Sequence, residues 1–169
     1  MTMKTMIRLL ALAALLAALP AAAQTYDWSS TGSTGVVDYP GLFAFTTTGP
    51  TLKHISFSNT TVLARYPVTN TYGSATGSIP GWTTLHATYT DNSSSGSVTV
   101  KLFRVDKCDN TETQLCSITS ADGSSTPVCD TCTFNATDVD FANYYYYVEV
   151  TLARTTTSAT EAIHAVALN

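Results

Sequence analysis

From Tyr144 to Leu152 the chain alternates with a strict period of two. Tyr144, Tyr146, Val148, Val150 and Leu152 fall on one side, and Tyr145, Tyr147, Glu149 and Thr151 on the other. Successive side chains of an extended strand point to opposite faces, so this pattern commits the segment to a half-buried β-strand. A strand that is apolar on one face needs a second layer to cover that face. Whatever else the chain does, it must build a sheet and something to pack against it.

The rest of the sequence supplies matching pieces. Leu85, Ala87 and Tyr89 alternate with Trp82, Thr84, His86, Thr88 and Thr90, and the turn-forming run Asp91-Asn92-Ser93-Ser94-Ser95-Gly96 follows. Val98, Val100 and Leu102 then share a face before the pattern moves to Phe103 and Val105, which predicts a bulge near Leu102. Residues 82–105 therefore read as a hairpin. Further strands are expected over residues 36–39, 42–47, 52–58, 61–68, 114–119 and 131–135. Over residues 160–168 the spacing of Ile163, Val166 and Ala167 also suits a short helix, but a strand is preferred as a partner for Tyr144–Leu152. Short strands separated by Gly, Ser, Asn, Asp and Pro predict an all-β fold. The expected form is a single two-sheet antiparallel β-sandwich, jelly-roll or immunoglobulin-like.

Residues 1–23 carry a different signature. Lys4 and Arg8 form a positive start, Leu9 to Leu19 an apolar stretch, and Ala21, Ala22 and Ala23 a small-residue cleavage site. This is the pattern of a secretory signal peptide, of bacterial character in its alanine content. The apolar stretch is shorter than the roughly 20 residues a spanning helix needs. The expected mature protein is thus one domain over residues 24–169, secreted or periplasmic, without membrane insertion. The signal takes two of the eight basic residues and none of the twelve acidic ones, leaving a net charge of −6. With its basic residues scattered singly, such a chain is not a nucleic-acid binder.

All four cysteines, Cys108, Cys116, Cys129 and Cys132, fall in the exported part, and their even number favours disulfides. The local pairing, Cys108–Cys116 with Cys129–Cys132, is preferred over the nested one, Cys108–Cys132 with Cys116–Cys129. Cys129-Asp130-Thr131-Cys132 has redox-motif spacing, but its flanks read as extended chain rather than the helix start that lowers a thiol pKa. The spacing provides only one zinc knuckle.

Candidate chemistry is sparse. No Gly-x-Ser-x-Gly elbow occurs, and Gln24 stands where a copper-dependent oxygenase would need an N-terminal histidine. The chain has three histidines, His54, His86 and His164, and three glutamates, Glu112, Glu149 and Glu161, with no spacing that marks a catalytic set. Asp106, Asp109, Asp138 and Asp140 are calcium candidates because calcium takes loop oxygens, although such residues are also ordinary turn formers. No cofactor is otherwise implied. The aromatic residues give the best binding signal: Trp82 and His86 on one outward face, Tyr145 and Tyr147 on another. Such rings stack on sugars and anchor protein interfaces. The expected function is an exported, non-catalytic module recognising a glycan or a surface protein. The alternatives are a self-associating subunit of an envelope or surface assembly, and a secreted polysaccharide hydrolase or lyase.

Overall fold

The computed structural model describes residues 28–70, 79–121 and 123–169; the signal peptide expected over residues 1–23 lies outside these residues. Where short runs of Val, Thr and Tyr alternate, the chain is extended, because branched and aromatic side chains suit a pleated surface. In chain order the strands are β1 (Trp28–Thr31), β2 (Val36–Val37), β3 (Phe45–Thr48), β4 (Thr51–His54), β5 (Val62–Val68) and β6 (Thr84–Asp91). They continue as β7 (Gly96–Asp106), β8 (Glu112–Thr119), β9 (Ser124–Thr133), β10 (Tyr144–Arg154) and β11 (Glu161–Leu168). Among the described residues there is no α-helix.

Every pairing is antiparallel. The first sheet runs β3-β4-β11-β6-β9, with β1 also paired to β11, and the second runs β2-β5-β10-β7-β8. Among the described residues, only β3–β4 and β7–β8 are consecutive strands that pair within a sheet. Every other connection crosses from one layer to the other, giving the predicted two-sheet antiparallel sandwich.

The core fills the space between the layers. β10 supplies Tyr146, Val148, Val150 and Leu152, and β7 supplies Val98, Val100 and Leu102; opposite them lie Leu85, Ala87, Tyr89 and Ile163. Burying each large apolar side chain contributes about 1.5–3 kcal/mol. Tyr66 is buried with its hydroxyl donating to the Gly32 carbonyl at 2.7 Å, so its polar end is satisfied.

Several expectations change. Residues 82–105 are not a hairpin: β6 pairs with β11 and β9, whereas β7 pairs with β10 and β8. Both strands carry one apolar face, and the intervening turn lets those faces stack across the core. The irregularity near Leu102 is real, but the extra residue is Leu115 on β8, since Leu102 opposes Cys116 and Phe103 opposes Gln114. β7 keeps its phase against β10, so Phe103 and Val105 stay on the outer face. Residues 160–168 form a strand. A register shift between Ile163 and Ala165 admits His164 as an extra residue, so Ile163 and Val166 both face inward although three apart. That bulge produces the helix-like spacing.

β9 begins at Ser124, well before the expected 131. It is an edge strand of Ser, Thr and Pro with no apolar alternation, and Pro127 is tolerated there because an edge leaves one backbone side unpaired. β2 and β4 are shorter than expected, and the 42–47 segment divides into a 3-10 turn over Gly41–Phe43 followed by β3.

The cysteine pairing is corrected as well. Cys116 on β8 bonds Cys132 on β9, joining the edges of the two sheets, while Cys108 and Cys129 are exposed thiols. Cys129 and Cys132 are three residues apart on one extended strand and so point to opposite faces, which rules out the local bond.

Candidate functional site

The outer face of the β2-β5-β10-β7-β8 sheet gathers the side chains that the core leaves out. Register sets them in rows: Arg65, Glu149 and Lys101; then Pro67, Tyr147 and Phe103; then Tyr145 and Val105. Tyr147 and Phe103 stack with centroids 5.2 Å apart and planes 16° from parallel. The Arg65 guanidinium lies 5.7 Å from the Tyr147 centroid. Because β5 and β7 flank β10 on opposite sides, the cation and the second ring take the two faces of Tyr147.

Arg65 is anchored in turn. Its Nε donates to Glu149 Oε2 at 3.2 Å, its Nη2 forms an ion pair with the same oxygen at 3.1 Å, and its Nη1 pairs with Asp38. Burial, followed by the nearby carboxylates of Glu112 and Glu149, pushes the Tyr147 hydroxyl up to about 12, so it stays protonated. Tyr145 is the most open ring on this face, 62 % exposed, with the Lys107 ammonium 5.0 Å from its centroid. Lys107 is itself fixed by the carbonyls of Phe141 and Ala142, at 2.6 and 3.1 Å. The result is a band of aromatic surface bordered by oriented donors and acceptors.

The four expected binding residues separate. Tyr145 and Tyr147 share this outer face. Trp82 does not belong to any outer face: it is 1 % exposed, packed edge-on against Phe141 at 5.8 Å. It precedes β6 rather than lying within it, so the alternation that placed it beside His86 does not apply. His86 sits on the outer face of the other sheet, with Nε2 2.8 Å from Asn169 Oδ1. Phe103 and Arg65 join the face without a sequence signal of their own: the apparent change of phase after Leu102 points Phe103 inward, whereas β7 in fact keeps its phase.

The histidines do not converge. His54 contacts Glu161 and Thr60, and His164 lies between the Thr51 and Thr90 hydroxyls at 2.9 and 2.8 Å. Burial lowers the pKa of both His54 and His164. The calcium candidates are engaged elsewhere. Asp106 and Asp109 accept from the Cys108 and Thr111 amides, Asp138 pairs with Arg104, and Asp140 accepts from Ala142 and Asn143. Among the described residues no group of three or more His, Cys, Asp or Glu side chains is placed to hold a metal ion. Two of the glutamates are engaged, Glu149 by Arg65 and Glu161 by His54 in the interior. No helix among the described residues is long and apolar enough to cross a membrane.

No protein-family model matches the chain, and no curated protein matches it. Solved structures with a similar arrangement include a family 36 carbohydrate-binding module in complex with calcium and xylotriose. It has 8% identity and a TM-score of 0.46, and the match covers 84% of this chain and 99% of that one. A family 15 xylan-binding module has 16% identity and a TM-score of 0.39, covering 73% and 80%. The C-terminal family 22 carbohydrate-binding module of Clostridium thermocellum Xyn10B has 16% identity and a TM-score of 0.41, covering 85% and 92%. At these superposition scores none of them bears on the assignment, and the two-sheet architecture rests on the strand pairings themselves.

Proposed function

We propose that this chain is an exported, non-catalytic glycan-binding module whose contact surface is the outer face of the β2-β5-β10-β7-β8 sheet. The observation that carries this reading is the contiguous aromatic band of Tyr145, Tyr147 and Phe103, beside the Asp38–Arg65–Glu149 ion-pair chain. A sugar ring offers apolar C–H faces that stack on aromatic rings and hydroxyls that need both donors and acceptors. The band supplies the first and the ion-pair chain the second. The rings are held by strands and by one another, so little ordering is needed on binding.

Within this band Tyr145 is the open platform, because both faces of Tyr147 are taken. The test is isothermal titration of the mature protein against a panel of soluble polysaccharides. Tyr145→Ala and Phe103→Ala are each expected to weaken the best ligand by about tenfold, equivalent to about 1.4 kcal/mol. Binding that survives both changes, or a panel without a ligand, contradicts the reading.

A further inference from the structure

A depression of about 420 Å³ lies at one end of the sandwich, walled by the β4–β5 and β10–β11 connections. Its lining includes Thr46, Lys53, His54, Phe57, Thr157 and Thr160, none of which belongs to the aromatic band. The volume is within the range of small-ligand sites. Phe57 stands 80 % exposed at its edge, an unusual position for a ring with no polar atom.

The walls are fixed from behind. Arg154 is buried at the base, donating Nε and Nη2 to the Ser58 carbonyl at 2.9 and 2.6 Å, Nη1 to Ala159 at 2.6 Å, and Nη2 also to Ile55. His54 Nε2 contacts the Thr60 carbonyl at 3.0 Å. One buried cation thus ties both connections to β10, and the cavity exists before any ligand arrives.

Its charge runs against that of the molecule. The chain has twelve acidic and eight basic residues, yet the cations Lys53 and Arg154 line this depression beside the uncharged His54, and no carboxylate does. Lys53 takes part in none of the ion pairs among the described residues. Arg154 directs its donors at neutral carbonyls. The nearby buried carboxylates, Glu161 and Asp91, stand behind this lining, engaged by His54 and Ser120. A local positive field in an acidic protein selects an isolated anion, while the net charge repels a polyanion laid along the surface.

We propose that this depression is a second saccharide site, taking a single sugar unit that bears an anionic group, with its ring against Phe57 and its anion at Lys53. The ligand class follows from the glycan reading above, but the residues are separate from the sheet face. Amide-shift titrations of the mature protein test it, with methyl glucuronide, glucose 6-sulfate, neutral methyl glucoside and sodium acetate as probes. One or both acidic sugars should give saturable shifts at residues 53–57 and 157–160, and the responding arm identifies the anion as carboxylate or sulfate. The neutral sugar and acetate should bind about tenfold more weakly. Phe57→Ala and Lys53→Ala should each weaken the acidic sugar by a similar factor, and Tyr145→Ala should leave it unchanged. The absence of saturable shifts with either acidic sugar, equal binding of acetate, or indifference to Phe57→Ala overturns the proposal. Loss of this site with polysaccharide binding at Tyr145 intact leaves the sheet-face reading standing, and the reverse pattern removes that reading alone.

Discussion

Glu161 opens β11 with none of its surface exposed, and its protonation can be worked out from its neighbours. Oε2 lies 3.1 Å from His54 Nδ1, and His54 Nε2 lies 3.0 Å from the Thr60 carbonyl. A carbonyl only accepts, so Nε2 carries a hydrogen and donates it to Thr60. A proton must then sit between Nδ1 and Oε2, or two lone pairs would face each other in a dry interior. Burial pushes the Glu161 carboxyl up to about 6, with Arg154 opposing the rise and Asp91 adding to it. Burial also lowers His54. Both directions put the proton on the acid, so Glu161 donates to a neutral His54. A rise from the ordinary 4.5 to about 6 corresponds to about 2 kcal/mol.

The sign follows from linkage. The folded protein holds this proton more tightly than the unfolded chain. The stabilisation is therefore complete below about pH 4.5 and is lost as pH rises through about 6. His54 acts in the opposite direction, removing stability as pH falls below its ordinary 6.5. Glu161→Gln isolates the acid, because the amide N–H can donate to His54 at any pH. Thermal unfolding of both proteins across a pH series is the assay. The two should match near pH 4.5, and the variant should be more stable by about 2 kcal/mol near pH 8, or roughly 6 °C. A variant less stable by a growing margin as pH rises would mean that a charged Glu161–His54 pair holds the fold, and the proton assignment would be wrong.

Two further outcomes follow from packing and connectivity. Reduction of Cys116–Cys132, which closes a loop with a sequence separation of 16, should cost about 3 kcal/mol in urea unfolding. Peptide mapping should find Cys108 and Cys129 open to alkylation, and an unchanged midpoint on reduction would contradict the pairing. Gly32→Ala should destabilise by about 1–3 kcal/mol or more, because the new methyl group would sit 2.0 Å from the Ile163 carbonyl oxygen, on backbone that cannot step aside. Wild-type stability in that variant would show that the 3-10 turn over Gly32–Thr34, just after β1, is not in close contact with β11.

How far the sequence could be read depended on whether neighbouring residues alone decided the outcome. Tyr144–Leu152 was legible because one strand's alternation fixes both of its faces, and Tyr145 and Tyr147 followed outward from it. Trp82 is not legible, since it stands in phase with β6 but lies before the strand starts at Thr84. The turn after β6 looked like a hairpin turn, and only the pairing partners, which lie far away in sequence, show it to be an arch between sheets. Phe103 was misplaced for a related reason: the extra residue near Leu102 belongs to β8, and nothing within β7 could reveal that. The cysteine bond likewise depends on β8 and β9 being edges on the same side of the sandwich, a long-range property that spacing does not encode.

Glycan binding at the sheet face is tested by an amide-shift map recorded while the protein is titrated with oligosaccharide fragments of its best polysaccharide ligand. Saturable shifts are expected centred on Arg65, Phe103, Tyr145, Tyr147 and Glu149, which lie together on the outer face of β5, β10 and β7. Shifts centred instead on His86 and Thr88, on the outer face of the opposite sheet, would contradict it.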